Sequence, residues 1–234
     1  MLLNKFKKLS LLFLLTLIIF PFKTNILALE NEKNIYITFD DGPGGKITNT
    51  ILDILKKEEV PATFFVIGCQ IEGQEQIIKR MKDEGHAIGL HSFSHNRNKI
   101  YPSKNNFLEE MLLSQDLIFN IVSDKPTILR FPFGCNNNTY KLNDSMVNLL
   151  HENNFKIYDW NTDSGDGANS NLDVGKIISN SCVKKDNVIL LMHCTYINKN
   201  SSLALPSIIK YYKDNNYTFK VIDESTEEIY KIMK

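Results

Sequence analysis

From residue 30 onward the chain alternates between two hydrophobic periods. Apolar runs rich in β-branched and aromatic residues occupy 34–40, 61–67, 86–93, 128–133, 156–161, 188–194 and 218–222, and read as buried strands. Stretches 47–58, 74–84, 105–122, 140–153, 172–180, 203–214 and 224–233 carry helical spacing instead. In the first of these, Ile47, Ile51, Leu52, Ile54 and Leu55 line one stripe. Pro61, Gly85 and Gly134 punctuate the joins, and Ser103 or Asn105 is placed to cap the third helix. Seven strand-then-helix units predict an α/β fold with a parallel sheet, because parallel strands need crossover connections. Alternation alone fits an open sheet as well as a barrel. The expected form is a distorted barrel of seven β/α units, with its chemistry at the C-terminal ends of the strands.

The first 29 residues fall outside this pattern. Lys5, Lys7 and Lys8 precede an apolar run from Leu9 to Phe22, with a small residue, Ala28, near a possible cleavage point. That run of about 14 residues is shorter than the roughly 18 to 20 that span a bilayer. An export signal is expected, with an uncleaved membrane anchor as the alternative. Either places residues 30–234, read as one domain, in the extracellular space, in a cell wall or on the outer membrane face.

Charge and cysteine usage narrow the partners. The whole chain balances 27 basic against 27 acidic residues, and loss of Lys5, Lys7, Lys8 and Lys23 with the leader leaves a net charge of −4. No nucleic-acid footprint or polybasic membrane patch results, so an uncharged or mixed-charge substrate fits better. Membrane contact is expected only through an uncleaved leader, and the domain is expected to be a monomer. Cys69, Cys135, Cys182 and Cys194 form no CxxC pattern, and no bridge between them is predicted. Gly42-Pro43-Gly44-Gly45 lacks both the Lys-Ser/Thr of a phosphate loop and the GxGxxG of a dinucleotide fold.

Polar residues gather where the strands end. Asp40 and Asp41 close the first strand beside Gly42 and Pro43, a sequence that alone suits an ordinary turn. Adjacent strand residues point to opposite faces, so a turn must break the alternation if both carboxylates are to face inward. His91 and His95 follow the third strand at a spacing that predicts both rings on one side of a helical turn. Two imidazoles and a carboxylate hold a metal while leaving positions for water and substrate, and the second carboxylate is free to act as a base. Arg130-Phe131-Pro132-Phe133-Gly134 ends the fourth strand, Asp163-Ser164-Gly165-Asp166 follows the fifth, and Leu191-Met192-His193 ends the sixth. Five such features at the ends of five of the seven strands point to one hydrolytic site.

On these motifs the chain, from about 33 to 223, resembles the polysaccharide deacetylases of carbohydrate esterase family four. Thr38-Phe39-Asp40-Asp41, His91-Ser92-Phe93-Ser94-His95, Arg130-Phe131-Pro132-Phe133-Gly134, Asp163-Ser164-Gly165-Asp166 and Leu191-Met192-His193 are similar to its five motifs. The resemblance implies that Asp41, His91 and His95 hold a divalent metal ion, Zn2+ first, with Co2+ and others open. It implies Asp40 as general base, oriented by Arg130, and His193 as general acid with Asp163 holding its ring. Leu191, Pro132 and Phe133 would contact substrate, Phe133 through its backbone N–H. The implied partner is an acetylated polysaccharide, peptidoglycan N-acetylglucosamine foremost. O-acetylated glycans and chitin oligomers stay open, because ester hydrolysis uses the same metal and base. A non-catalytic carbohydrate-binding protein would have lost one of these groups. Gly167 stands where the fourth motif usually has a Trp that walls the sugar groove, so a wider groove or another aromatic is expected there. Trp160, on the preceding strand, is expected in the core.

Overall fold

The computed structural model describes residues 32–233, so the expectations for the leader lie outside the described residues. In chain order the elements are β1 (Asn34–Gly42), α1 (Lys46–Glu58), β2 (Thr63–Val66), a 3-10 turn (Gly68–Gln70), α2 (Glu75–Asp83), β3 (Ala87–Leu90), α3 (Arg97–Ile100), α4 (Lys104–Val122), β4 (Ile128–Leu129), α5 (Asp144–Glu152), β5 (Lys156–Ile157), β6 (Thr162–Asp163), α6 (Val174–Ser181), β7 (Asn187–His193), α7 (Lys199–Asp214) and β8 (Thr218–Phe219). All strand pairs are parallel, in the order β5-β4-β3-β2-β1-β7-β6, with β8 beside the start of β1.

This is the expected α/β barrel-like fold, a curled sheet with helices outside. β5 and β6 are its two edges, yet only residues 158–161 separate them in the chain. Extended chain spans at most about 3.5 Å per residue, so the edges lie within about 17 Å of each other. No helix of the described residues is long and apolar enough to cross a membrane.

Strand alternation sorts side chains into two cores. Ile35, Ile37 and Phe39 of β1, with Val188, Leu190 and Met192 of β7, face the helices and join the main cluster. Ile51, Leu52 and Leu55 of α1 meet them there. Each fully buried aliphatic of this kind contributes about 1.5–3 kcal/mol. The opposite face looks into the curl, where Phe65, Ile128, Tyr158, Ile189 and Ile222 form a smaller cluster against which Trp160 is half-buried. On that inner face Tyr36, Thr38 and Asp40 ascend β1, and Ile189, Leu191 and His193 ascend β7. Each ladder begins apolar and ends on a titratable group at the C-terminal rim.

Several elements depart from expectation. Residues 224–233 form no helix. Asp223 accepts hydrogen bonds from the backbone N–H groups of Ser225 (2.8 Å) and Thr226 (3.1 Å), which sets a local turn. Ile229 then pairs with Tyr158, and Glu228 accepts from the Ile157 N–H at 2.6 Å, so this segment binds beside β5. β6 interrupts what reads as one loop, and α7 begins at Lys199, four residues early, running through Pro206. Ser103 does cap the long helix, accepting from the Asn106 N–H at 3.2 Å.

Candidate active site and its metal-ligand cluster

At Asp41 the register of β1 against β2 slips, so that Asp40 pairs with Phe65 and Gly42 with Val66. Asp41 is the extra residue, with φ of 64°. This bulge breaks the alternation and turns both adjacent carboxylates toward the interior. The break lies one residue earlier than the Gly42-Pro43 turn. Gly44 cannot carry a side chain here, since a Cβ would stand 2.2 Å from the Cys194 carbonyl oxygen.

His91 and His95 converge on Asp41, but not through the helical turn that their spacing predicts. Residues 91–95 are a loop with positive φ at Ser92 (65°) and His95 (50°), closed by the His95 N–H donating to Ser92 Oγ at 2.9 Å. Glu110 of α4, buried, holds the loop from behind by accepting from the Ser94 N–H (2.7 Å) and Oγ (2.9 Å). Sequence reasoning did not single out Glu110, which reads as a polar position in an amphipathic helix. Asp41 Oδ1 lies 3.4 Å from His91 Nε2 and 3.2 Å from His95 Nε2.

The donor set fits a divalent cation. Asp41 Oδ1 is buried with no hydrogen-bond partner, and one donor atom from each of Asp41, His91 and His95 lies within 4.8 Å of the other two. His91 Nδ1 faces the Arg130 carbonyl at 2.9 Å, and a carbonyl only accepts. Nδ1 therefore carries the hydrogen and Nε2 presents its lone pair to the cluster, the usual outer support of a metal-binding imidazole. Burial works against a charged His91, yet Asp40 and Asp41 raise it, so the local field favours positive charge. Burial and the neighbouring His91 push His95 down to about 4, leaving it neutral and able to donate a lone pair near pH 7. Burial would raise Asp41, but the close His91 ring and the positive fields of His91, His95 and His193 hold it well below the ordinary carboxylate range.

Asp40, 3% exposed, stands beside this cluster with Oδ2 3.7 Å from His91 Nε2. Its other oxygen accepts from Arg130 Nη1 at 2.8 Å. Arg130 is fully buried, and its remaining donors reach Thr38 Oγ1 (2.6 Å), the Tyr158 carbonyl (2.9 Å) and the Asp159 carbonyl (3.0 Å). Its guanidinium lies 4.2 Å over the Phe65 ring. Asp159 was another residue not anticipated. It closes the loop after Arg130, where Cys135 donates to it from N (3.2 Å) and Sγ (2.7 Å).

His193 lies across from Asp40, and here the expectation for Asp163 is overturned. The carboxylate on its ring is Asp166, at 2.8 Å from Nδ1, and Asp166 also accepts from the His193 N–H at 2.9 Å. Asp163 is exposed and accepts from the Gly165 N–H at 2.7 Å. Gly165 has φ of 82°, a left-handed turn that sends the chain back inward and delivers Asp166, fully buried, behind His193. Ser164 Oγ (2.8 Å) and Ser201 Oγ (2.5 Å) donate to the remaining lone pairs of Asp166. Burial opposes charge on His193, but the Asp166 hydrogen bond and charge, with Asp40 and Asp41 behind, raise it to about 9.

Leu191 is buried one pleat below His193 on the same face. Pro132 and Phe133 form the opposite rim, where the Pro132 carbonyl accepts from Tyr101 Oη at 2.6 Å. Phe133 has φ of 67° and is 38% exposed, its ring between His95 (4.5 Å) and the Arg97 guanidinium (3.7 Å). All four cysteines are free, with Cys135 and Cys194 buried.

A curled parallel sheet that sets such a donor cluster between a buried carboxylate and a protonated imidazole defines a hydrolytic enzyme. The sequence profile of the polysaccharide deacetylase family matches residues 29–156. A peptidoglycan-N-acetylglucosamine deacetylase of Bacillus cereus is 34% identical over 205 residues, 84% of this chain and 72% of the relative. Among solved structures, a polysaccharide deacetylase from Bacillus cereus superposes with a TM-score of 0.76 at 36% identity, covering 84% of this chain and 95% of the other. The catalytic domain of a peptidoglycan N-acetylglucosamine deacetylase from Eubacterium rectale does so with a TM-score of 0.77 at 30% identity, covering 88% and 96%. The chain belongs to the polysaccharide deacetylase family.

Proposed function

We propose that the protein is an exported, metal-dependent deacetylase that hydrolyses the N-acetyl group of N-acetylglucosamine units in peptidoglycan. The observation that carries the reading is the buried, donor-less Asp41 Oδ1 flanked by His91 Nε2 and His95 Nε2. The names of the relatives from Bacillus cereus and Eubacterium rectale support the substrate, and a substrate outside the membrane, with the expected N-terminal export signal, supports export.

Asp41, His91 and His95 would hold the cation, and two nitrogens with one oxygen suit Zn2+. When bound, the ion polarises the amide carbonyl and lowers the pKa of the attacking water. Asp40 takes the proton from the attacking water as general base, aimed by Arg130. His193, protonated near pH 7, delivers a proton from Nε2 to the departing amine, because Asp166 fixes the Nδ1 side. The Phe133 N–H makes no backbone hydrogen bond among the described residues and is assigned to the carbonyl oxygen as charge develops there. Leu191 and Pro132 wall the space for the acetyl methyl.

Acetate release from acetylated peptidoglycan, chitin oligomers and acetylxylan tests this, after chelation and after return of Zn2+ or Co2+. Release from peptidoglycan is expected, lost with the chelator and restored by the metal. Asp40→Asn should lower kcat by about 10³-fold. Preference for acetylxylan would overturn the amide assignment, and no release with either metal would overturn the activity.

A further inference from the structure

Tyr196 and Ile197 are the most exposed large apolar side chains among the described residues, at 62% and 68%, and they follow His193 by three and four positions. Surface aromatics on loops are ordinarily mobile, but Tyr196 is held on three sides. Its hydroxyl accepts from Gln74 Nε2 at 2.6 Å. Its ring rests on Gly45, where a Cβ would stand 2.8 Å from Cε1. Its loop is tied inward by Asn198 Nδ2, which donates to the Asp166 carbonyl at 3.3 Å. Gln74 in turn accepts from the Gly45 N–H at 2.8 Å and donates to the Pro43 carbonyl at 3.1 Å, so the ring is fixed to the loop that follows Asp41.

The other aromatics of this rim are occupied. Phe133 is sandwiched by His95 and Arg97, and Trp160 lies against Gly134 and the Arg130 guanidinium. Position 167 offers no side chain at all. A Cβ on Gly167 would stand 2.3 Å from His193 Cε1, so the acid's ring occupies that space. Tyr196 is thus the rim aromatic that combines a fixed position with an open face. A flat, immobilised, half-apolar ring beside a hydrolytic site is suited to the C–H face of a pyranose, and its rigidity removes most of the ordering cost of binding.

Building on the deacetylase reading, we infer that Tyr196 is the stacking platform for a second sugar ring of the glycan, one next to the unit being deacetylated, so that the site recognises an oligosaccharide and not a single sugar. The test measures affinity without turnover, in the Asp40→Asn background, with the N-acetylglucosamine tetramer and monomer as probes. The tetramer should bind more tightly than the monomer, and adding Tyr196→Ala should weaken the tetramer about tenfold with the loss confined to the longer ligand. Tyr196→Trp should keep the tetramer affinity. Tyr196→Leu, which keeps apolar contact with Gly45 but no flat ring, should lose it as the alanine variant does, and serves if that variant fails to fold. Equal affinity of the parent for both probes, tetramer binding unmoved in the leucine variant, or equal losses for both probes would overturn the inference. Absence of acetate release by the unmutated enzyme would instead count against the deacetylase reading, independently of these affinities.

Discussion

Asp40 and His193 are direct partners in the register of β1 and β7, at the same height on the inner face, yet each is braced by a group of opposite charge. Asp40 leans on Arg130, a cation whose donors are otherwise taken by Thr38 and two backbone carbonyls. His193 leans on Asp166, an anion whose lone pairs are otherwise filled by Ser164, Ser201 and a backbone N–H. The proposed base and acid thus sit on adjacent strands, while their two braces set opposite fields around them. The two braces also differ in origin. Arg130 comes from the end of β4 through the interior of the curl, whereas Asp166 comes from the loop after the two-residue β6, with α7 contributing Ser201.

That difference separates stability from chemistry. Arg130→Ala should have the largest effect, because it leaves the buried Asp40 carboxylate uncompensated and three acceptors without a donor. Loss of one partner of a buried pair costs about 3–5 kcal/mol, which a fall in the urea unfolding midpoint would show, together with near-complete loss of acetate release. A variant with wild-type stability would mean that the base side is not held through the interior.

Asp166→Asn should act on the acid and much less on the fold, since Asn keeps one acceptor. The sign follows from His193: Asp166 raises it to about 9, and the ring must be protonated to act. The wild-type kcat profile should therefore hold through neutrality and fall as pH rises through about 9. With the carboxylate gone, that alkaline limb should move down toward the ordinary histidine value of about 6.5, with kcat about 10²-fold lower at its optimum. An unmoved limb would show that another group sets the charge on His193.

Gly167→Ala probes the same side more gently. Its Cβ would stand 2.3 Å from His193 Cε1 and 2.9 Å from Nδ1. The ring is held at Nδ1 and the backbone N by Asp166, so it can yield only by tilting. About a tenfold fall in kcat is expected, with thermal stability barely changed. Unchanged kcat would show that the ring has freedom the Asp166 contacts do not remove.

The base side was legible in the sequence and the acid side only partly so, for reasons visible in single residues. β1 and β7 are long enough to show their period, and both end on the groups that matter. Arg130 closes an apolar run, so its place at the rim follows from the strand. β6 has two residues and no period, which leaves Asp163 and Asp166 as equivalent carboxylates three apart. The choice between them is made by the positive φ of Gly165, a backbone property that the sequence permits without specifying. His91 and His95 do converge, but positive φ at Ser92 and His95 does the work that the spacing assigns to a helical turn. At 224–233 the helical spacing is real, but Tyr158 Oη donates to the carbonyls of Asp223 and Thr226 and Lys156 Nζ to that of Glu224, acceptors that a helix would need for itself.

Asp163→Ala carries the smallest expected effect and sharpens the contrast most. Asp163 Oδ1 holds the Gly165 N–H at 2.7 Å, a turn contact at an exposed position. Removing it frees an N–H that water can reach, so the cost is about 0.5–1 kcal/mol, or a fall in Tm of about 1–4 °C for a domain of this size. Gly165 keeps its left-handed conformation without help, because glycine populates positive φ freely. Asp166 should then remain behind His193, with kcat within about twofold of wild type and the alkaline limb still near 9. If kcat fell as in Asp166→Asn and the limb moved with it, the turn itself would be what aims Asp166, and the acid side would depend on an exposed hydrogen bond where the base side depends on a buried cation.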